Sequence, residues 1–148
     1  MSLILITGAT GNVGSAVLDH LLSERQDFRI LAGVRDVKKD SEILPANVEA
    51  VPFDFEDQHS IKAALEKTEI LFLLRPPQLA DVNKYFDPVI SMALEEQIQH
   101  IVFLSVQGAE KSKFIPYHKI EKLIINSSLP YTFLRPAYFM QNFTTIKS

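Results

Sequence analysis

Short apolar runs alternate with amphipathic segments along the chain. LILIT (3–7), RILAGV (29–34), VEAVPF (48–53), EILFLL (69–74), HIVFLS (100–105) and YTFLR (131–135) are mostly apolar and rich in Ile, Val, Leu and Phe. Runs of this length and composition predict strands buried on both faces. Between several of them apolar residues recur at helical spacing: Val13, Val17 and Leu21 beside Leu18 and Leu22, then Ile61, Ala64 and Leu65, then Val89, Met92 and Ala93. That spacing predicts helices with one buried stripe. Asp87 and Pro88 suit the N-cap and first position of a helix, and Pro76 with Pro77 ends a strand. EDQHSIKAALEK (56–67) reads as a polar-faced helix and LEEQIQH (94–100) as a solvated surface. Alternating strand and helix predicts an α/β fold, a parallel sheet covered by helices through right-handed crossovers.

Composition narrows the function classes. At 148 residues, 47% of them hydrophobic, the chain is expected to form one domain with a real core. Its net charge of −3, without a strongly basic block, gives no electrostatic footprint for nucleic acid. There is no cysteine, hence no disulfide, thiolate zinc site or cysteine nucleophile, which fits a reducing, cytoplasmic setting. The apolar runs fall far short of the ~20 residues of a membrane helix, so no membrane is expected. His20, His59, His100 and His118 are scattered without ligand spacing, and no metal is expected.

Gly8, Gly11 and Gly14 follow the first predicted strand and open the first predicted helix. A dinucleotide-binding fold holds its pyrophosphate there, where bare backbone N–H groups and the helix dipole favour negative charge. Gly8 is expected to make the turn, Gly11 to allow close approach, and Gly14 to let the helix lie against the sheet. Thr10, Asn12 and Val13 would offer donors to the phosphates. A glycine loop that merely turns the chain is the bland alternative; strand before, helix after and further βα units weigh against it. The expected architecture is a Rossmann-type doubly wound sheet in three α/β/α layers, strand order 3-2-1-4-5-6.

The pattern is G-x-x-G-x-x-G, and TGATGNVG resembles the opening of extended and atypical short-chain dehydrogenase/reductase proteins. With GVRD, VPFDFED and the closing LPYTFLRPAYFMQN, the chain resembles the NmrA-like branch over nearly its whole length. That resemblance implies an NAD(P)H-dependent reductase passing hydride to a small-molecule acceptor of quinone, azo or carbonyl type. It equally admits a redox sensor that binds NAD(P) without turnover and, further off, epimerase or isomerase chemistry.

The end of the second strand reports cofactor choice, because an acidic residue there binds the NAD ribose and an Arg the 2′-phosphate of NADP. Arg35, followed by Lys38 and Lys39, favours NADP(H) over NAD(H). Asp36 beside it either reaches a ribose hydroxyl or neutralises Arg35, and the whole group is alternatively a solvated charge cluster. By the resemblance, Asp54 and Phe55 line the adenine, although Phe55 suits a core equally. Leu74, Arg75 and Pro76 would run beneath the nicotinamide half. Arg75 stands where the family has small or polar residues; it reaches the pyrophosphate, an anionic substrate, or solvent.

Typical short-chain dehydrogenases use Tyr-x-x-x-Lys for proton relay. No Tyr here precedes a Lys at that spacing. Aligned on SSLPYTFLRP, Glu121 matches the family Glu, Tyr117 falls in the Lys slot and Lys113 in the Tyr slot. Direct hydride delivery asks little of such groups once the nicotinamide is positioned. Catalytic candidates are therefore Tyr117 at the nicotinamide ribose, His118 as proton donor, and Ser105 at the fifth strand's end, where the superfamily keeps a Ser or Thr. Against these stand a packed Tyr117, a His118 facing water and a Ser105 bonding backbone.

NmrA-like proteins run about twice this length, so the expectation is an amino-terminal NAD(P)-binding domain over 1–148 with the carboxyl-terminal substrate region absent. Tyr138, Phe139, Met140 and Phe143 in AYFMQNFTTIKS would then present an apolar surface suited to homo-oligomer formation.

Overall fold

A computed structural model describes residues 2–24, 28–76, 78–113 and 115–135. Its elements run β1 (Ser2–Thr7), α1 (Asn12–Glu24), β2 (Phe28–Val34), α2 (Val37–Ser41), β3 (Val48–Pro52), α3 (Gln58–Glu66), β4 (Ile70–Leu74), α4 (Val82–Glu95), β5 (His100–Leu104), a 3₁₀ turn (Ala109–Lys111), α5 (Pro116–Asn126) and β6 (Tyr131–Leu134). The six strands form one sheet in the order β3-β2-β1-β4-β5-β6, and every pairing is parallel. The alternating pattern predicts the parallel sheet, and the doubly wound order is the one expected of the dinucleotide-binding fold that the glycine turn implies.

Side chains alternate across each strand and so divide the core in two. On one face Leu5, Leu31, Leu71, Leu73, Ile101 and Phe103 pack against α3, α4 and α5 through Ile61, Phe86 and Ile120. On the other, Ile4, Ile6, Ile30, Ala32 and Phe72 meet Leu18 and its neighbours on α1. Phe86, Phe103 and Ile120 are fully buried, each worth roughly 1.5–3 kcal/mol relative to exposure. The helices cover both faces, and the free edge at the strands' carboxyl ends remains as the place for a site.

Three local readings change. The helix expected to start at Asp87-Pro88 starts six residues earlier: Asp81 is the N-cap, its carboxylate accepting from the Lys84 N–H at 3.2 Å, and Pro88 lies inside the helix. The continuous apolar stripe Val82, Phe86, Val89, Ile90 and Ala93 is buried, and that burial outweighs the single backbone hydrogen bond that Pro88 removes. β6 is not buried on both faces; at the sheet edge with β5 as its strand neighbour, it leaves Tyr131 and Leu134 about two-fifths exposed, at 42% and 41%. The short helix α2 and the 3₁₀ turn carry no apolar period and were not predicted.

One glycine outside the loop is constrained by packing. A Cβ at Gly33 on β2 would lie 2.9 Å from the Phe53 Cβ, so β2 and the end of β3 close together only over hydrogen. Phe53 N–H in turn donates to the Val34 carbonyl at 2.8 Å.

Candidate functional site

β1 ends at Thr7, and Gly8 follows with φ +69°, a left-handed conformation that side chains resist. The Gly8 carbonyl accepts from Gly11 N–H at 3.1 Å, and the Gly11 carbonyl accepts from Ser15 N–H at 2.8 Å, which carries the turn into α1. Gly14 completes it. A Cβ there would fall 1.8 Å from the Gly8 oxygen and 2.9 Å from the Ala9 Cα. The expectation placed Gly14 between helix and sheet; what it admits is the loop's own backbone beneath the first helical turn. At Gly11 a Cβ would meet only the Gly8 oxygen, at an ordinary 3.5 Å, so the outer side of the loop is open.

The first amides of α1 have no intrahelical acceptor, and Gly11 before them has no side chain to supply one. α2, α3 and α4 are capped differently, by the carboxylates of Asp36, Asp57 and Asp81. No acidic residue stands in the first turn of α1. Uncapped amides, a positive helix end and a Cβ-free approach form a cradle that fits a pyrophosphate.

That cradle is one wall of a cleft of about 520 Å³ at the carboxyl ends of β1 and β4, the adjacent strands where the sheet order reverses. Gly8, Gly11, Asn12, Val13 and Gly14 line it from the loop, Leu74, Arg75 and Pro76 from β4, and Leu104, Ser105 and Tyr117 from β5 and α5. Thr7 stitches the floor. Its buried hydroxyl accepts from Leu74 N–H at 2.9 Å and donates to the Leu74 carbonyl at 3.3 Å, extending the β1–β4 ladder to the cleft's edge.

Thr10 faces elsewhere, lining a hollow of about 390 Å³ with Ser15, Asp19 and Pro45. At the end of β2, Asp36 spends its carboxylate on the Lys39 N–H at 3.1 Å, as the cap of α2. Arg35 is exposed and its Nε lies 3.9 Å from an Asp54 carboxylate oxygen, so the nearer acid in sequence is not its partner. Asp54 also accepts from Glu56 N–H at 2.9 Å, holding the turn after β3. Phe55 is half-buried, edge-on to Phe53 at 5.2 Å and tilted against Phe86 at 5.0 Å, which makes it core on one side. Arg35, Asp54 and Phe55 thus sit beside one another, beyond the lining of the main cleft.

On the opposite wall, Ser105 is buried and its hydroxyl donates to Glu121 Oε2 at 2.6 Å. Arg135 grips the same carboxylate through Nε at 3.0 Å and Nη2 at 2.8 Å, and reaches Glu110 with Nη1 at 2.9 Å. Burial by itself raises the Glu121 pKa, but the hydrogen bonds from Arg135 and Ser105, with the charges of Arg135 and His118, outweigh it and hold the carboxyl below its ordinary value. The Glu121 carboxylate holds the Arg135 guanidinium above its own. This network joins the ends of β5 and β6 to α5, one helical turn after Tyr117.

Tyr117 lies on the cleft wall with the Arg75 guanidinium 5.0 Å from its ring centre and the Phe103 ring 6.2 Å away. Arg75 Nε donates to the Leu79 carbonyl at 3.0 Å. His118 does not line the cleft; half-buried, it directs Nδ1 to the Ala109 carbonyl at 2.8 Å, which assigns the proton to that nitrogen. Tyr138, Phe139, Met140 and Phe143 lie outside the described residues. Among the described residues no group of three His, Asp or Glu is placed to hold a metal, and no helix is long and apolar enough to cross a membrane.

Thr7 and the Glu121–Arg135 pair were not among the predicted site residues. A charged residue between Ile120 and Ile124 on the buried side of a helix is the signal that marks Glu121; Thr7 carries none, since an apolar run commonly ends on Thr.

The NmrA-like family matches residues 1–148. Prestalk A differentiation protein A of Dictyostelium discoideum is 34% identical over 142 residues, 95% of this chain and 46% of that protein. Quinone oxidoreductase 2 of Escherichia coli (strain K12) is 26% identical over 144 residues, 95% of this chain and 50% of that protein. The crystal structure of the Citrobacter sp. triphenylmethane reductase complexed with NADP(H) superposes with a TM-score of 0.82 at 29% identity, over 95% of this chain and 51% of that one. The chain spans about half the length of the curated relatives it matches.

Proposed function

The chain belongs to the NmrA-like family, and on that premise we propose that its 148 residues are an NADP(H)-binding domain that serves hydride transfer to a quinone, azo or related carbonyl-type acceptor. The observation that carries this reading is the Gly14 contact: a loop built so that only hydrogen fits between the helix start and the Gly8 carbonyl turns the bare amides of α1 toward an open cleft. The quinone and triphenylmethane reductases among its relatives support the reaction class.

Gly8, Gly11, Asn12, Val13 and Gly14 would hold the pyrophosphate by backbone donors. Arg35 would pair with the 2′-phosphate that distinguishes NADP, because Asp36, the residue that would prefer a ribose diol, is committed to capping α2. Asp54 and Phe55 border the adenosine end, and Leu74, Arg75 and Pro76 the nicotinamide end. Bound NADPH supplies a hydride. The chain's own part is to position and to exclude water, with Tyr117 on the cleft wall for a ribose hydroxyl and Ser105 offering lone pairs, since its proton goes to Glu121.

One observation favours a second reading, a redox sensor that binds without turnover. Two candidate proton donors are engaged within the protein, Ser105 on Glu121 and His118 on Ala109, and the Tyr-x-x-x-Lys pair is missing. A cytoplasmic setting and self-association through Tyr138, Phe139, Met140 and Phe143 belong to either reading; sizing over a range of concentrations that finds monomer throughout removes the latter.

Calorimetric titration of NADPH and NADH into the chain tests the cofactor, with tighter binding of NADPH expected. Stoichiometric consumption of NADPH with a quinone then supports the reductase. Tight binding with no consumption across quinones, azo dyes and carbonyls supports the sensor, and no binding of either nucleotide refutes both.

A further inference from the structure

We propose that the Asp54 carboxylate is a cofactor-specificity determinant: it competes with the 2′-phosphate of NADP(H) for the Arg35 guanidinium and so holds down the preference for NADP(H) over NAD(H). The inference rests on the NADP(H)-binding reading above, in which Arg35 meets that phosphate.

Sheet geometry brings the two charges together. β2 and β3 are parallel neighbours whose register ends on Val34 and Pro52, and Phe53 N–H donates to the Val34 carbonyl at 2.8 Å. Arg35 follows Val34 and Asp54 follows Phe53, so both charges stand at the carboxyl ends of the strands, where the adenosine half of a dinucleotide lies. Among the described residues the guanidinium pairs with Asp54 alone.

The pair is loose, but the carboxylate is fixed. Arg35 Nε and an Asp54 carboxylate oxygen are 3.9 Å apart, beyond a hydrogen bond, and the arginine side chain is 72% exposed. Such a pair adds little to stability and does not orient the guanidinium. Asp54 is held more firmly. Its Oδ1 accepts from Glu56 N–H at 2.9 Å, its own N–H donates to Ser60 Oγ at 3.0 Å, and its carbonyl accepts from Asp57 N–H at 2.9 Å. A phosphate arriving at Arg35 can therefore turn the exposed arginine but cannot send the carboxylate away. The 2′-phosphate, at about −1.5 to −2 near neutral pH, then shares its cation with a fixed negative charge, whereas the ribose hydroxyl of NAD(H) carries no charge to be repelled. Asp36 does not play this part, because its carboxylate is committed to Lys39 N–H at the α2 cap.

The test is calorimetric titration of NADPH and NADH, at low and high salt, into the natural protein, Asp54→Asn, Asp54→Ser and Asp36→Asn, with circular dichroism for folding. Asn and Ser each leave an acceptor for Glu56 N–H while removing the charge. Any contact of Asp54 with the adenine is common to both cofactors, so the ratio of the two affinities isolates the phosphate. The expected result is a preference for NADPH raised about threefold to tenfold in both Asp54 variants at low salt, shrinking at high salt as the charges are screened, and unchanged in Asp36→Asn. A preference unchanged or lowered in the folded Asp54 variants, or raised as much in Asp36→Asn, would overturn the inference. The premise is read separately. No binding of NADPH to the natural protein removes the NADP(H)-binding reading, and equal losses of both cofactors in Arg35→Ala remove the 2′-phosphate role. A loss confined to NADPH in Arg35→Ala, with no rise in the Asp54 variants, removes this inference alone.

Discussion

The carbonyl oxygen of Gly8 stands 1.8 Å from where any side chain at position 14 would begin. Helix start and strand end are in backbone contact, and the turn between them leaves its amides facing the cleft. Gly14→Ala must push α1 off the loop. It should lower stability by about 1–3 kcal/mol and abolish NADPH binding. Gly11→Ala, whose Cβ would sit at 3.5 Å from its one neighbour, should melt within a few degrees of the natural protein yet bind NADPH about tenfold more weakly. Thermal melts paired with calorimetry check both; equal melting losses would refute the distinction.

Glu121 sets an acid limit on stability. Its folded pKa is depressed, so the carboxylate's contribution is fully present above the ordinary value of 4.5 and is lost as pH falls through the lower folded value. Glu121→Ala should cost about 1–3 kcal/mol near neutral pH, because it strands the buried Ser105 hydroxyl and leaves Arg135 with only its Glu110 ion pair among the described carboxylates. Urea unfolding at a series of pH values should show the difference between the two proteins shrinking below that window. A constant difference would mean that the ionised carboxylate is not what stabilises the β5–α5–β6 junction.

Arg35 and Asp36 are neighbours in sequence with separate tasks. Arg35→Ala should weaken NADPH binding and leave NADH binding largely intact. Asp36→Ala should cost about 1 kcal/mol through the lost α2 cap without altering the ratio of the two affinities. Titrations of both cofactors into both variants decide it, and equal losses for NADPH and NADH in Arg35→Ala would remove the 2′-phosphate role.

Gly33 and Phe53 meet across the β2–β3 pair. Gly33→Ala introduces a contact of 2.9 Å that no rotamer relieves, because it lies between two Cβ atoms. The end of β3 should lift, with a loss of about 1–3 kcal/mol. Faster amide exchange is expected at Phe53, whose N–H bonds the Val34 carbonyl at 2.8 Å. Unchanged exchange there would show that the strands absorb the methyl elsewhere.

The parallel sheet and the glycine turn were legible in the chain because each is written in neighbouring residues, and the strand order followed from the dinucleotide-binding fold that the glycine turn implies. Apolar runs such as ILFLL state a buried strand, i, i+4 spacing states a helix, and a strand followed by Gly8, Gly11 and Gly14 states a phosphate turn. Local cues failed where packing competed with them. Asp87-Pro88 has the form of a helix start, but the stripe from Val82 to Ala93 buries enough surface to run the helix straight through the proline.

What tertiary structure alone decided are the meetings of residues far apart in the chain. Arg75 stacks on Tyr117, Arg135 finds Glu121 rather than solvent, Arg35 nears Asp54 while Asp36 turns to cap a helix, and Thr7 joins Leu74. Periodicity reports which face of an element is buried, and therefore the fold. Which partner a charge or hydroxyl takes depends on distances fixed only when the layers close, and so the chemistry of the cleft walls lay beyond the reach of sequence pattern.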